Sequence, residues 1–294
     1  MLLARLLLGV LTVYVVLVGL AWLFQDRLAF PSPRAPLPNP SPHGLEDVER
    51  VSLVMKDGTR LAGWFIPPQT GKDVGGRGRT GQDQTSPVVP NHAPTYPALL
   101  WFYGNGENIA TIWPILRDFR PPGVALLVVD YPGYGASEGR ATEIGLYEAG
   151  AAAYGALIAR GEVDRSRVFV YGRSLGSAVA TRVASTHAVA GLVLESPFTS
   201  ARDMTRRHYA LLPAFILRLR LDNLTAVRQV RCPVLVFHGT ADRLVPVEMG
   251  QRVTAAAPGP SELVLIEGAG HNDTYAFGAT AYRDKLWEFL FKSP

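Results

Sequence analysis

The chain has 294 residues, 48% of them hydrophobic, and a formal net charge of +4. The positive charge is scattered arginine: only Lys56, Lys72, Lys285 and Lys292 are lysines, and no basic run is interleaved with aromatics, which argues against nucleic-acid binding. Cys232 is the only cysteine, so an internal disulfide and a thiolate metal site are excluded.

Leu6 to Phe24 is a stretch of 19 residues without a charge. As a helix it would be about 28 Å long, close to a bilayer core of about 30 Å. Its exit, Ala21-Trp22-Leu23-Phe24, carries interfacial aromatics rather than a small-x-small cleavage site. Residues 1–27 therefore read as an uncleaved membrane anchor, with a cleaved signal and a soluble core helix as alternatives. Two positive groups before the span are balanced by Arg27 and Arg34 after it, so charge does not set the orientation. The usual signal-anchor arrangement puts the body outside the cytoplasm.

Residues 28–47 are a proline-dense linker, with Pro31, Pro33, Pro36, Pro38, Pro40 and Pro42. Such a segment is semi-extended and either holds the body away from the anchor or lies along its surface. The body, 48–294, opens with a predicted β-hairpin, 50–56 and 60–66, around Lys56-Asp57-Gly58-Thr59. Residues 69–95 are polar and Gly/Pro/Gln-rich, as in a flexible surface insertion. Short apolar runs at 98–103, 124–129, 167–171, 191–195, 233–238 and 262–266 then alternate with helical stretches at 109–119, 143–160, 175–187, 246–257 and 278–291. That alternation predicts an α/β fold, a mostly parallel sheet with helices on both faces and ligands at the carboxyl ends of its strands. The interval 199–231 has helical pieces and no strand, and reads as a small cap.

The strand ending at Tyr171 runs into Gly172-Arg173-Ser174-Leu175-Gly176 and then a helix. A turn this sharp strains the serine backbone, needs glycine on either side, and lifts Oγ above the sheet at a helix N-terminus. Serine needs a neighbouring base, and on such a fold the order is Ser, acid, His. Of His208, His238 and His271, the last lies in a glycine-flanked loop after strand 262–266, where a base can reach over Ser174. His238 reads as structural and His208 as a surface residue of the cap. Asp242 follows strand 233–238 and precedes His271 by one helix and one strand, which suits the acid that orients the imidazole. Glu195 and, less well, Asp273 are alternatives, while Asp130 reads as a structural residue bonding N–H groups of its turn. Two N–H donors would receive the oxyanion, from Leu175 and from Asn105 in the loop after strand 98–103.

These segments resemble the Bem46-like (ABHD12/13/17-type) branch of the α/β-hydrolase superfamily. The resemblance rests on Tyr103-Gly104-Asn105-Gly106-Glu107-Asn108, Asp130-Tyr131-Pro132-Gly133-Tyr134-Gly135, Gly172-Arg173-Ser174-Leu175-Gly176, Glu195-Ser196-Pro197-Phe198, His238-Gly239-Thr240-Ala241-Asp242 and Gly270-His271-Asn272-Asp273. It extends from about Leu45 to the end, and Phe30-Pro31-Ser32-Pro33 after an apolar span also fits. Tyr103 stands where the family usually has histidine, which changes the hydrogen bonding behind the oxyanion donors. The resemblance implies a serine hydrolase without metal or organic cofactor, and relatives that include lipases, thioesterases and peptidase-like proteins.

The cap carries Arg202, Arg206, Arg207, Arg218, Arg220, Arg228 and Arg231 around the apolar run 210–217. It reads either as a cover for the site or as an interfacial lid whose arginines meet anionic headgroups. The expected activity is hydrolysis of a small-molecule or lipid-like carboxylic ester or thioester. A serine aminopeptidase and an inactive membrane-tethered binding module are the alternatives. Neither the natural substrate nor the oligomeric state follows from the sequence.

Overall fold

The computed structural model describes residues 2–40, 47–69 and 95–292. Pro42, His43, Lys72, His92 and all but the ends of the expected 69–95 insertion lie outside the described residues. The described chain forms one eight-stranded sheet. Its strands are β1 (Glu49–Val54), β2 (Arg60–Ile66), β3 (Tyr96–Phe102), β4 (Ala125–Val129), β5 (Val163–Arg173), β6 (Gly191–Glu195), β7 (Val234–Gly239) and β8 (Ser261–Ile266). They lie in the order β1-β2-β4-β3-β5-β6-β7-β8. The β1–β2 and β2–β4 pairs are antiparallel; the rest are parallel. This is the α/β-hydrolase fold. The runs in β4, β6 and β7 are buried along their whole length, because helices cover both faces and leave no solvent side for polar alternation.

The helices are α1 (Leu2–Leu23), α2 (Gln25–Ala29), α3 (Ile109–Phe119), α4 (Glu143–Ile158), α5 (Leu175–Thr186), α6 (Ala201–His208), α7 (Asn223–Val227), α8 (Val247–Ala256) and α9 (Thr274–Lys292). Adjacent residues of β3 show how the faces divide. Trp101 packs edge-on against Phe119 of α3, which also touches Tyr282 of α9. Phe102, pointing the other way, reaches Gly150 of α4, where Val179 and Val183 of α5 also pack. The expected helix 278–291 starts earlier, at Thr274, and breaks at Ala279, whose φ is 44°. Its first turn is held from a distance, by the Thr274 hydroxyl on Glu195 of β6.

The helix α1 has a mean hydropathy of 2.5 and no buried residue, and is long and apolar enough to cross a membrane. Among the described residues of the proline segment, Phe30 to Ala35 lie along the body rather than holding it away. Gly135 N–H donates to the Pro33 carbonyl at 2.8 Å, Ala35 N–H to the Gly135 carbonyl at 3.2 Å, and Phe30 is buried. Arg34 adds bonds to the Ser137 and Gly139 carbonyls.

β5 and α5 meet with no room between them. A methyl group at Gly172 would overlap the Gly176 carbonyl and Ala180, and one at Gly176 would overlap the Phe102 carbonyl. Gly172→Ala is therefore expected to lower stability by about 1–3 kcal/mol. Gly155→Ala, in α4 with open space around it, should raise stability by roughly 0.4–1 kcal/mol. Urea unfolding of the detergent-solubilised chain checks both signs.

Candidate active site

Ser174 sits between β5 and α5 with φ 49° and ψ −113°, a conformation that L-residues seldom adopt. Its N–H is held by the Glu195 carbonyl at 2.9 Å, and its own carbonyl accepts from Ser177 N–H at 2.9 Å and Ser177 Oγ at 2.6 Å. The hydroxyl meets His271 Nε2 at 2.9 Å. His271 Nδ1 meets Asp242 Oδ2 at 2.7 Å. A carboxylate only accepts, so Nδ1 carries the proton there and Nε2 is free to accept from the serine.

Asp242 is buried. Its other oxygen accepts from Leu244 N–H at 2.9 Å and Val245 N–H at 2.8 Å. His238 Nε2 lies 3.5 Å from the same carboxylate and donates to the Val245 carbonyl at 2.9 Å. Burial opposes the Asp242 charge, but hydrogen bonds from His238 and His271, the imidazole's charge and the Val245 N–H outweigh it. They hold the carboxyl well below the usual carboxylate range.

The other acids have different partners. Glu195 binds Tyr171, Tyr282 and Thr274, so Asp242 and not Glu195 meets His271. Asp273 accepts from Gly270 N–H at 2.5 Å, within its own loop. Asp130 accepts from Ile109 N–H at 2.9 Å, Ala136 N–H at 3.0 Å and the Tyr103 hydroxyl at 3.1 Å. Tyr103 in turn accepts from Tyr131 N–H at 3.0 Å, so the tyrosine ties the strand exits of β3 and β4 together. His208 donates to or accepts from no acid in this group; its Nε2 meets the Leu244 carbonyl at 2.8 Å.

Leu175 opens α5, so its N–H has no acceptor within the helix. The Asn105 side chain donates to the Ala29 carbonyl at 2.7 Å and accepts from the Tyr134 hydroxyl at 2.6 Å, which fixes the loop that carries its N–H.

One residue of the site is not suggested by the serine motif. Arg173 pairs with Glu107, lies 3.5 Å from Glu195, and donates to Asn272 Oδ1 at 2.6 Å. Glu107 also accepts from Gly104 N–H at 2.7 Å. Burial works against the guanidinium's charge, but Glu195 and Glu107 more than offset it. A single side chain thus joins the Asn105 loop, the end of β6 and the His271 loop. The available signal was an arginine inside the serine turn, with glutamates in the loop after β3 and at the end of β6.

The strain at Ser174 has a measurable sign. Ser174→Gly is expected to be more stable than Ser174→Ala by about 1 kcal/mol, because only glycine adopts this backbone without cost. Thermal unfolding of the two variants side by side gives the difference. Asp242 supplies a second test. A lowered carboxyl contributes stability above the unfolded-chain value and loses it as pH falls toward its own value. Wild type should exceed Asp242→Asn at neutral pH, and the gap should begin to close below about pH 4. Urea midpoints measured across that range read it.

Comparison with known proteins agrees with this frame. Residues 94–226 match the family described as serine aminopeptidase, S33. The chain is 33% identical over 275 residues to the uncharacterized protein Rv2307c of Mycobacterium tuberculosis, covering 92% of this chain and 88% of that one. It is 33% identical over 165 residues to alpha/beta hydrolase domain-containing protein 17B of Homo sapiens, covering 55% and 54% of the two chains. The Pyrococcus furiosus esterase Pf2001 has the same fold, with a TM-score of 0.66 and 19% identity over 88% of this chain and 98% of that one. The chain belongs to one family with Rv2307c, has the α/β-hydrolase fold, and is similar to the S33 family over residues 94–226.

Proposed function

We propose that this hydrolase is a membrane-anchored serine esterase or thioesterase acting on acyl substrates through Ser174, His271 and Asp242. The observation that carries the reading is the imidazole of His271, bonded to the serine hydroxyl on one side and to a buried carboxylate on the other. The length and apolarity of α1 support an anchor, and the body is proposed to lie outside the cytoplasm.

His271 Nε2 takes the Ser174 proton as Oγ bonds to the substrate's carbonyl carbon. The negative charge that develops on the carbonyl oxygen is received by the N–H groups of Leu175 and Asn105. Asp242 holds the ring in the required tautomer and stabilises its protonated form. The imidazolium then gives its proton to the departing alcohol or thiol, which leaves an acyl-Ser174. Water, losing a proton to His271, attacks that ester; the carboxylic acid leaves and the serine is restored. A serine aminopeptidase is the second reading, favoured by the description of the matching family. A tethered binder without activity is the third.

A fluorophosphonate probe is expected to label the full chain, and Ser174→Ala to abolish the label. Equal labelling of the two would reject Ser174 as the nucleophile. On p-nitrophenyl esters, Ser174→Ala and His271→Ala should each lower kcat/KM by about 10⁴-fold or more, and Asp242→Asn by about 10³–10⁴-fold. Loss of rate toward mildly acid pH should not come from protonation of Asp242, whose carboxyl is held well below the usual carboxylate range. An aminoacyl p-nitroanilide hydrolysed faster than every ester would favour the aminopeptidase.

A further inference from the structure

The segment that leaves the apolar helix does more than connect. Residues 21, 22, 25, 28 and 29 share one helical face across the end of α1 and α2, and that face turns toward the cap. Between them lies a cavity of about 210 Å³. Ala21, Trp22, Leu28 and Ala29 line one side, and Leu212, Ile216 and Leu217 line the other.

The cavity is a built feature. Gln25 is buried, and its side-chain oxygen accepts from Arg218 N–H at 2.7 Å and Leu219 N–H at 3.3 Å, while its amide donates to the Trp22 carbonyl at 2.9 Å. The Arg218 guanidinium lies 5.0 Å from the Trp22 ring centre. Each wall is also fastened to the site. Ala29 is bonded to Asn105 in the expected donor loop. On the cap side, Glu143 accepts from Arg220 and Leu221 N–H, and Asn223 donates to Ser177, which bonds to the Ser174 carbonyl.

The occupant follows from the lining and the position. Four of the residues named on the walls are aliphatic and long, Gln25, Thr205 and Tyr209 are the polar lining, and among the described residues no carboxylate or ammonium lines the space to bind a charged head. The space lies at the foot of a helix able to cross a membrane, beside the cap tip, where Leu211 and Phe215 are each 82% exposed. We infer that this cleft holds the acyl chain of the substrate, so that the juxtamembrane segment forms half of the acyl site and sets the chain length accepted. The inference rests on the esterase reading above and names its substrate as a medium- or long-chain acyl ester or thioester drawn from the bilayer.

The test uses the full chain in non-ionic detergent and p-nitrophenyl esters from acetyl to decanoyl. In the wild type, kcat/KM should rise by about two- to fourfold per methylene until the cleft is filled. Ala21→Trp and Leu212→Trp, which fill the cleft from opposite walls, should lower the decanoyl-to-acetyl ratio of kcat/KM at least tenfold. A flat length profile in the wild type, with acetyl hydrolysis still dependent on Ser174, would overturn the acyl cleft and leave the esterase standing. Hydrolysis indifferent to Ser174→Ala would instead overturn the esterase reading. Photolabelling of Ser174→Ala with a diazirine-bearing sixteen-carbon fatty acid needs no turnover. Adducts on Leu212, Ile216 or Leu217 that Ala21→Trp removes support the cleft; an unlabelled cap, or labelling unchanged by Ala21→Trp, rejects it.

Discussion

The site depends on the closeness of β5 and α5. No side chain fits at Gly172 or Gly176, so the chain between them turns in three residues and Ser174 takes a left-handed backbone. That conformation costs about 1–3 kcal/mol for a residue other than glycine. The surrounding sheet supports it: Ser174 N–H is fixed to β6 through Glu195, and its carbonyl to α5 through Ser177. With the backbone fixed, the hydroxyl lies against His271. Relaxing the turn would release strain and misdirect Oγ together.

The loops that complete the site come from separate strand ends, and Arg173 makes them one assembly. It holds Glu107 in the loop after β3, lies beside Glu195 at the end of β6, and reaches Asn272 next to His271. Charges this buried are costly alone and tolerable together. The arrangement keeps the Gly104–Asn105 turn and the His271 turn in a common frame, while Arg173 itself takes no part in the bond between His271 and Ser174.

Much of the frame was legible in the sequence because burial on both faces leaves a plain signal. The apolar runs at 98–103 and 124–129 correspond to β3 and β4, and Ser174, Asp242 and His271 were candidates because each follows a strand and their order suits the fold. What was not legible depends on partners distant in sequence. The start of α9 at Thr274 is fixed by Glu195, 79 positions away, and Arg173 meets residues 66 and 99 positions away. Gln25 lies just past the apolar span, yet its side-chain oxygen accepts from residues 193 and 194 positions later. Local pattern carries no trace of such pairings. Tyr103 is intermediate: its departure from the usual histidine was visible, but its bonds to Asp130 and Tyr131 were not.

The seam between Pro33 and Gly135 has a mechanical consequence. A body hung on a loose tether tilts and drifts freely, and meets a surface at any angle. Here a load on α1 passes through the five residues of α2 and arrives at the turn packed on Asp130, which also holds the first residue of α3. Torque on the helix is resisted by the body's own framework. The segment works as a strut rather than a string between the apolar helix and the body.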